Sequence, residues 1–378
     1  MKQEEQKLVE EWPQLLKLLP KGWEDQAREL GALKFGRRFS GPGDLLRTLL
    51  IYLSDDCSMV ETTERARTGK LVDISDVGLL KRINKSGDWL GWISAGLIEE
   101  SPSAVMQCPA LEGRRLLAAD GSVVSEPGAT TGTWRLHYAM DIGTLRCHEV
   151  QVTTVKTGES LTRFTVQKGD ILIGDRGFAN RRGVTHVLDR GGDVLLRMNL
   201  SSLPLTNERG EPFEQLPHLR TLEKGQTCEW PAMMQGAKGL ITVRVCAYRK
   251  TDEQRAESER KLRRNAQKKQ SKLQPETMEA AGYVVVVTTL DRLNAEEILA
   301  LYRHRWQVEL AFKRMKSLLG LSRLKKKDPQ GAKAWLQGKL FVACLIERLV
   351  ALGEHFSPVE HSEHERESST APMAMPLA

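Results

Sequence analysis

Asp170-Ile171-Leu172-Ile173-Gly174-Asp175-Arg176-Gly177 is the stretch on which the reading of this chain turns. Ile171 to Ile173 shows no polar alternation. An apolar run this short, closed by glycine, marks a strand covered on both faces, as in the middle of an α/β sheet. The run ends in an acid, and a glycine follows. Arg115-Leu116-Leu117-Ala118-Ala119-Asp120-Gly121 has the same form upstream. The glycines let backbone or ligand approach closely. Taken singly, a strand-end aspartate is more often a turn-former or a helix cap.

Between and beyond these strands the pattern continues. Trp134 to Met140 and Cys147 to Val152 alternate as half-buried strands do. Gly158 to Val166 reads as a helix, Arg181 to Arg190 as another, and Asp193 to Arg197 as a further strand. Three strands, a helix, a strand, a helix and a strand predict an α/β layer with a mixed sheet over residues 111–199. Within it, Asp141 ends a strand and forms a turn with Gly143. Asp170 opens the strand that Asp175 closes, so it lies at the opposite end of the sheet. His137, inside an alternating strand, reads as structural rather than as a ligand.

Residues 1–110 read as an all-helical N-terminal domain. Leu45 to Leu53 is helix-periodic after the Gly41-Pro42-Gly43 break, Met59 to Ala66 is a second unit, and a third starts at the N-cap candidate Ser75. Two short helices, a turn and a basic end suit a DNA-reading helix-turn-helix, and suit an ordinary bundle as well. Residues 200–292 break the α/β rhythm and predict a mostly β insertion domain, with strands at Leu240 to Val245 and Tyr283 to Thr288. They include a Lys/Arg-rich stretch, Asp252 to Gln274, which serves either as a solvated helix face or as a phosphate-contacting surface. The α/β domain resumes over 293–352, and a polar, then Ala/Pro/Met-rich tail over 353–378 has the composition of disorder.

The chain has 378 residues, 40% of them hydrophobic, and a formal net charge of +7. That length predicts two or three domains. The positive balance favours a polyanion partner, nucleic acid first. No window approaches a membrane span, and the charged Met1 to Glu5 start has no apolar signal region. The six cysteines show no zinc-ligand spacing and read as reduced thiols, which together predicts a cytoplasmic protein.

Asn294 to Leu319 reads as one long helix, with Asn294 and Glu297 forming a capping box and Gly320 ending it. At about 100° per residue, Tyr302, Arg305, Glu309 and Lys316 fall in one narrow sector beside an apolar stripe of Leu301, Val308, Phe312, Met315 and Leu319. An i,i+4 ion pair accounts for Arg305 and Glu309 alone, and leaves Tyr302 and Lys316 unexplained. If Asp120, Asp175 and Glu309 converge, their mutual repulsion calls for divalent cations. All-oxygen donors select Mg²⁺ or Mn²⁺. Two such ions support both the attacking and the leaving oxygen of a phosphoryl transfer.

Asp120-Gly121, Asp175-Arg176-Gly177-Phe178 and Tyr302-x2-Arg305-x3-Glu309-x6-Lys316 resemble the motifs of bacterial insertion-sequence DDE transposases, in particular the branch with a Tyr-Arg-Glu-Lys signature. The resemblance runs from about Phe39 to Leu352. It implies an RNase-H-like catalytic domain interrupted by a β insertion domain, and cut-and-paste transposition. It carries the metal ligands to Asp120, Asp175 and Glu309, with two Mg²⁺ or Mn²⁺ ions. Tyr302, Arg305, Lys316 and Arg176 take DNA phosphates near the cut. It also suggests a homodimer on double-stranded DNA. Tyr283 stands where hairpin-forming relatives place a base-stacking aromatic, with Trp230 a weaker candidate. A strand tyrosine packed in the sheet is the competing reading. Two rivals share the fold: a metal-dependent nuclease that never joins DNA, and a catalytically silent DNA-binding protein.

Overall fold

The computed structural model describes residues 12–34, 38–54, 57–99, 111, 113–129, 131–237, 239–321, 324 and 328–356. Of the expected tail over 353–378, residues 353–356 continue the last helix, and the rest lies outside the described residues. After a short helical stretch at residues 12–16, the named helices are α1 (Trp23–Glu29), α2 (Pro42–Ser54), α3 (Met59–Thr68) and α4 (Asp76–Glu99). Strands β1 (Leu116–Val124), β2 (Trp134–Asp141), β3 (Arg146–Thr154) and β4 (Ile171–Gly174) follow, then α5 (Arg181–Leu188) and β5 (Asp193–Arg197). Next come α6 (Gln215–Arg220), β6 (Thr227–Gln235), β7 (Leu240–Arg249), α7 (Asp252–Lys269), α8 (Pro275–Ala280) and β8 (Tyr283–Thr288). The last helices are α9 (Ala295–Arg303), α10 (Trp306–Leu318) and α11 (Pro329–Phe356).

All eight strands form one mixed sheet in the order β3-β2-β1-β4-β5-β8-β7-β6. Its centre, β1-β4-β5, is parallel, and antiparallel strands flank it on both sides. Alternate residues of β4 enter two different cores. Ile171 and Ile173 pack with the helices, and Leu172 packs with Phe164, Phe178 and Val187. Both faces are covered, which is why β4 carries no polar residue.

The parallel register positions the two acids. Ala118 pairs with Ile173, so Asp120 and Asp175, each two residues further on, arrive at the same level of the sheet. An ion pair at the far end holds that register. Arg115 donates twice to the Asp170 carboxylate, at 2.9 and 2.9 Å, and Asp170 is only 2% exposed. Asp170 also accepts from the Gln167 amide. Asp141 accepts from the amides of Gly143 and Thr144, as its turn position predicts.

Several local expectations change. Gly158 to Val166 is not a helix but a single 3₁₀ turn at Leu161–Arg163. Ser160 caps it by accepting from the Thr162 amide, and the chain then extends at Phe164, as β-branched and aromatic residues prefer. The segment 200–292 does not build a separate sheet, since β8, β7 and β6 continue the main one, and it adds the 18-residue α7. Thr251 and Gln254 close a capping box at the start of α7.

The N-terminal region is helical, but α4 runs for 24 residues, not the short second helix of a helix-turn-helix. Its buried face, Leu79, Ile83, Trp89, Leu90, Ile93 and Leu97, is committed to packing. Glycines bring α4 against α11, since a Cβ on Gly87 would sit 2.9 Å from Ala334 Cα. In the same way Gly338 of α11 makes room for Leu53 of α2. The helical layer and the sheet face beneath it share one core.

Candidate active site

The helix read as continuous from Asn294 to Leu319 is broken at His304 and Arg305. The capping box of Asn294 and Glu297 is present, and Gly320 adopts φ +60° just past the far end. At the break the His304 and Arg305 amides bond three residues back, to Leu301 and Tyr302. Such 3₁₀ turns wind tighter than 3.6 residues per turn, so the four-residue sector is not one straight line. Tyr302 lies in the last turn of α9, Arg305 is the N-cap of α10, and Glu309 sits one turn into it. Lys316 is two turns further, about 10 Å along the axis at 1.5 Å per residue, and is half-buried.

The break places Arg305 between two acids. Its guanidinium pairs with Glu309, one turn along, and lies 3.7 Å from Asp120 Oδ2 on β1. Asp120, Arg305 and Glu309 side chains are 17%, 14% and 31% exposed, so this exchange is partly shielded from water. Burial drives the Asp120 carboxyl up to about 7. Arg305 and the Gly121 amide oppose that rise, while Asp175 and Glu309 add to it. Burial also works against the Arg305 charge, but Tyr302, Glu309 and Asp120 outweigh it and raise its pKa above the ordinary arginine value. Tyr302 is buried beside this guanidinium, and burial raises its hydroxyl pKa.

Asp175 accepts from the Gly177 amide at 2.8 Å and Asp120 from the Gly121 amide at 2.7 Å. The structure thus brings Asp120, Asp175, Glu309 and Arg305 into mutual electrostatic reach. Among the described residues, however, no three His, Cys, Asp or Glu side chains are already arranged to hold an ion. In the observed arrangement Arg305 lies between Asp120 and Glu309. The donor set still suits a hard divalent cation, because it consists of carboxylate oxygens and because Asp120, raised first by burial, is raised further by Asp175 and Glu309.

A cleft of about 660 Å³ opens from Asp175 and Arg305 toward α7, lined in part by Arg176, Arg197, Lys250, Lys261, Tyr283 and Tyr302. Its cations repel one another. Lys250, buried at 3% exposure, donates to two neutral partners, Ser258 Oγ and the Ala281 carbonyl. Burial first, then Arg197, Arg176 and Lys261, lower its pKa to about 8. Tyr283 lines the cleft but is 7% exposed and packed in one core with Val285 and Val287, which is the sheet-packing reading of that residue. Trp230 meets His218 edge-on. His137 bonds Thr153 through Nε2, and burial, Arg163 and Arg135 lower its pKa to about 4, so it is a neutral structural residue.

Residue-by-residue reading missed Glu159. It reaches both glycines that follow the strand-end acids, and its pKa is raised by burial and by Asp175. The sequence signal was partial: two acids each followed closely by a glycine.

A family model described as a transposase DDE domain matches residues 112–345, more than half of the chain. The chain belongs to the DDE transposase family. The Escherichia coli transposase of insertion sequence IS421 is 34% identical over 348 residues, covering 90% of this chain and 93% of that protein. InsL of insertion sequence IS186A, also from Escherichia coli, is 34% identical over 347 residues with the same coverage. The transposase of IS231C from Bacillus thuringiensis subsp. berliner is 25% identical over 365 residues, covering 85% of this chain and 76% of that protein. Among solved structures, the piggyBac transposase synaptic complex with hairpin DNA overlays with TM-score 0.43 and 8% identity, a likeness too loose to carry an argument. This transposase is a DNA-cleaving and strand-transferring enzyme, and its family implies dependence on divalent metal. No described helix is long and apolar enough to cross a membrane.

Proposed function

We propose that this enzyme moves an insertion sequence by cut-and-paste transposition, with Asp120, Asp175 and Glu309 as the ligands of two Mg²⁺ or Mn²⁺ ions. The observation that carries the reading is the Arg305 guanidinium between Asp120 and Glu309, with Asp175 level with Asp120 across the parallel register. When bound, the ions would activate the attacking water or 3′-hydroxyl and support the leaving oxygen. Arg305 would then turn from the acids toward the phosphate, where its planar fork can pair with two oxygens. Tyr302 orients that guanidinium from its buried position. Arg176 at the cleft mouth and Lys316 on α10 meet flanking phosphates as charges. Tyr283 forms part of the cleft wall, and its base-stacking role requires the ring to leave the core.

The same reading places the chain in the Tyr-Arg-Glu-Lys branch, with an RNase-H-like domain over 111–199 and 293–352. Residues 200–292 form the insertion and 1–110 supply DNA contacts. It acts as a homodimer on paired element ends, in the cytoplasm at the nucleoid. The test is incubation of purified protein with a labelled duplex carrying the ends that flank its gene, a supercoiled target and Mg²⁺ or Mn²⁺. Joined products are expected from the wild type, and none from Asp120→Ala, Asp175→Ala or Glu309→Ala, all three still binding the duplex. Nicked DNA without joined product would support the nuclease reading instead. Binding without nicking would leave only a DNA-binding role.

A further inference from the structure

Gly121 and Gly177 follow the two strand-end acids, and neither adopts a positive φ. Their backbones do not require glycine. What a side chain there would strike is one and the same group. A Cβ on Gly121 would lie 2.4 Å from Glu159 Oε1, and a Cβ on Gly177 would lie 2.4 Å from Glu159 Oε2. The second carbon would also lie 3.2 Å from Asp175 Oδ1, so the carboxylates of Glu159 and Asp175 meet across Gly177.

Strand alternation separates the approaches. Leu117 and Ala119 belong to one core and Leu116 and Ala118 to the other, so Gly121 and Asp120 face opposite sides. Arg305 and Glu309 come to Asp120 on its side. Glu159 comes to Gly121 on the other, carried by the segment whose next residues, Leu161 and Phe164, anchor in that core. Among the described residues, the cation paired with Glu159 is Arg135, at 4.0 Å, and its Nη1 also donates to the Thr157 carbonyl at 3.2 Å. Glu159 therefore brings net negative charge to Asp175, with its carboxylate wedged between the two motif glycines.

We propose that Glu159 is a positioning residue of the catalytic centre, whose wedged carboxylate sets the Asp175 turn and raises the hold of Asp175 on a divalent cation. This rests on the metal-ligand reading of Asp175 given above. Outer carboxylates that orient a ligating group change metal affinity by about 10- to 100-fold when removed.

The experiment measures Mn²⁺ binding to the full-length protein by electron paramagnetic resonance titration, without DNA. Asp175→Ala is expected to lose the site. Glu159→Gln keeps the wedge and removes the charge, so affinity should fall on the order of tenfold with unchanged urea stability. Gly121→Ala, whose added carbon has only Glu159 side-chain atoms as its three nearest neighbours, is the second variant. The group it strikes is the end of a flexible side chain, so the fold should survive while the carboxylate is displaced and Mn²⁺ affinity falls as in Glu159→Gln. Wild-type Mn²⁺ affinity in Glu159→Gln, with Asp175→Ala defective, would overturn this proposal alone. Unchanged Mn²⁺ binding in Asp175→Ala would overturn the ligand assignment and this proposal with it.

Discussion

Replacing Asp120 by Asn should make the metal-free protein more stable while destroying its activity. The Asp120 carboxyl titrates at about 7 in the fold, against 3.8 for an ordinary aspartate. Its folded pKa is raised, so its stabilising effect is complete below pH 3.8 and is lost as pH rises through 7. At about 1.36 kcal/mol per pH unit, the whole interval is worth about 4 kcal/mol. The carboxylate is 17% exposed, and Arg305 stands beside it, so water and rotamer relaxation absorb part of this. An advantage for Asp120→Asn of about 1–2 kcal/mol at pH 8 is the expectation. The amide does not titrate, so the advantage should grow from pH 5 to 7 and level off above 8. Urea unfolding of both proteins in EDTA across that range measures it. Adding Mn²⁺ should reverse the order, because the wild type gains binding energy that the variant lacks. Greater wild-type stability at pH 8 in EDTA would refute the claim that burying this charge is costly.

Three other outcomes follow from the same geometry. Arg115→Met strands the buried Asp170 carboxylate and should cost about 3–5 kcal/mol in urea unfolding, while Arg115→Met with Asp170→Leu should recover most of that. Gly87→Leu forces α4 away from Ala334 and should lower stability by about 1–3 kcal/mol, read by the same unfolding curves. Lys250→Met should weaken duplex binding and make the dependence on log salt shallower by about one ion. In the wild type, binding should fall as pH rises through about 8, where Lys250 loses its proton, and Lys250→Met should lack that step; an identical pH profile would mean that the Lys250 charge in the cleft does not contribute to duplex binding.

Much of this site was legible because its signals are local. Apolar runs ending in Asp120 and Asp175 gave two central strands, and their equal length past the register point explains why both acids reach one level. The capping box at Asn294 was likewise a short-range pattern. What escaped prediction depended on contacts distant in sequence. Gly158 to Val166 has helix-compatible spacing, yet Leu161 and Phe164 are drawn into the core against Phe178, and the chain extends to reach it. A periodicity argument cannot see that competition. Residues 200–292, Tyr283 to Thr288 included, read as a mostly β insertion, because sequence does not disclose that β8 bonds β5 on one side and β7 on the other.

The break at His304 and Arg305 changes the geometry on which four residues were grouped. A straight helix would set Tyr302, Arg305, Glu309 and Lys316 in line, and that line motivated their grouping. The real chain tightens at this point, and the tightening has a use. Leu301 and Val308 remain buried on either side of it, while Arg305 caps the second helix and reaches β1. If the tightened turn exists to deliver Arg305 to Asp120, its length should matter more than its helicity. Inserting one alanine after His304 would turn the Arg305 side chain by about 100° relative to α9. The expected result is a folded protein with an unchanged far-ultraviolet spectrum, an Asp120 carboxyl that ionises at still higher pH without its cation, and no strand transfer. Retained transfer in that variant would mean the guanidinium reaches the site from either phase, and the turn would then serve only to connect two helices.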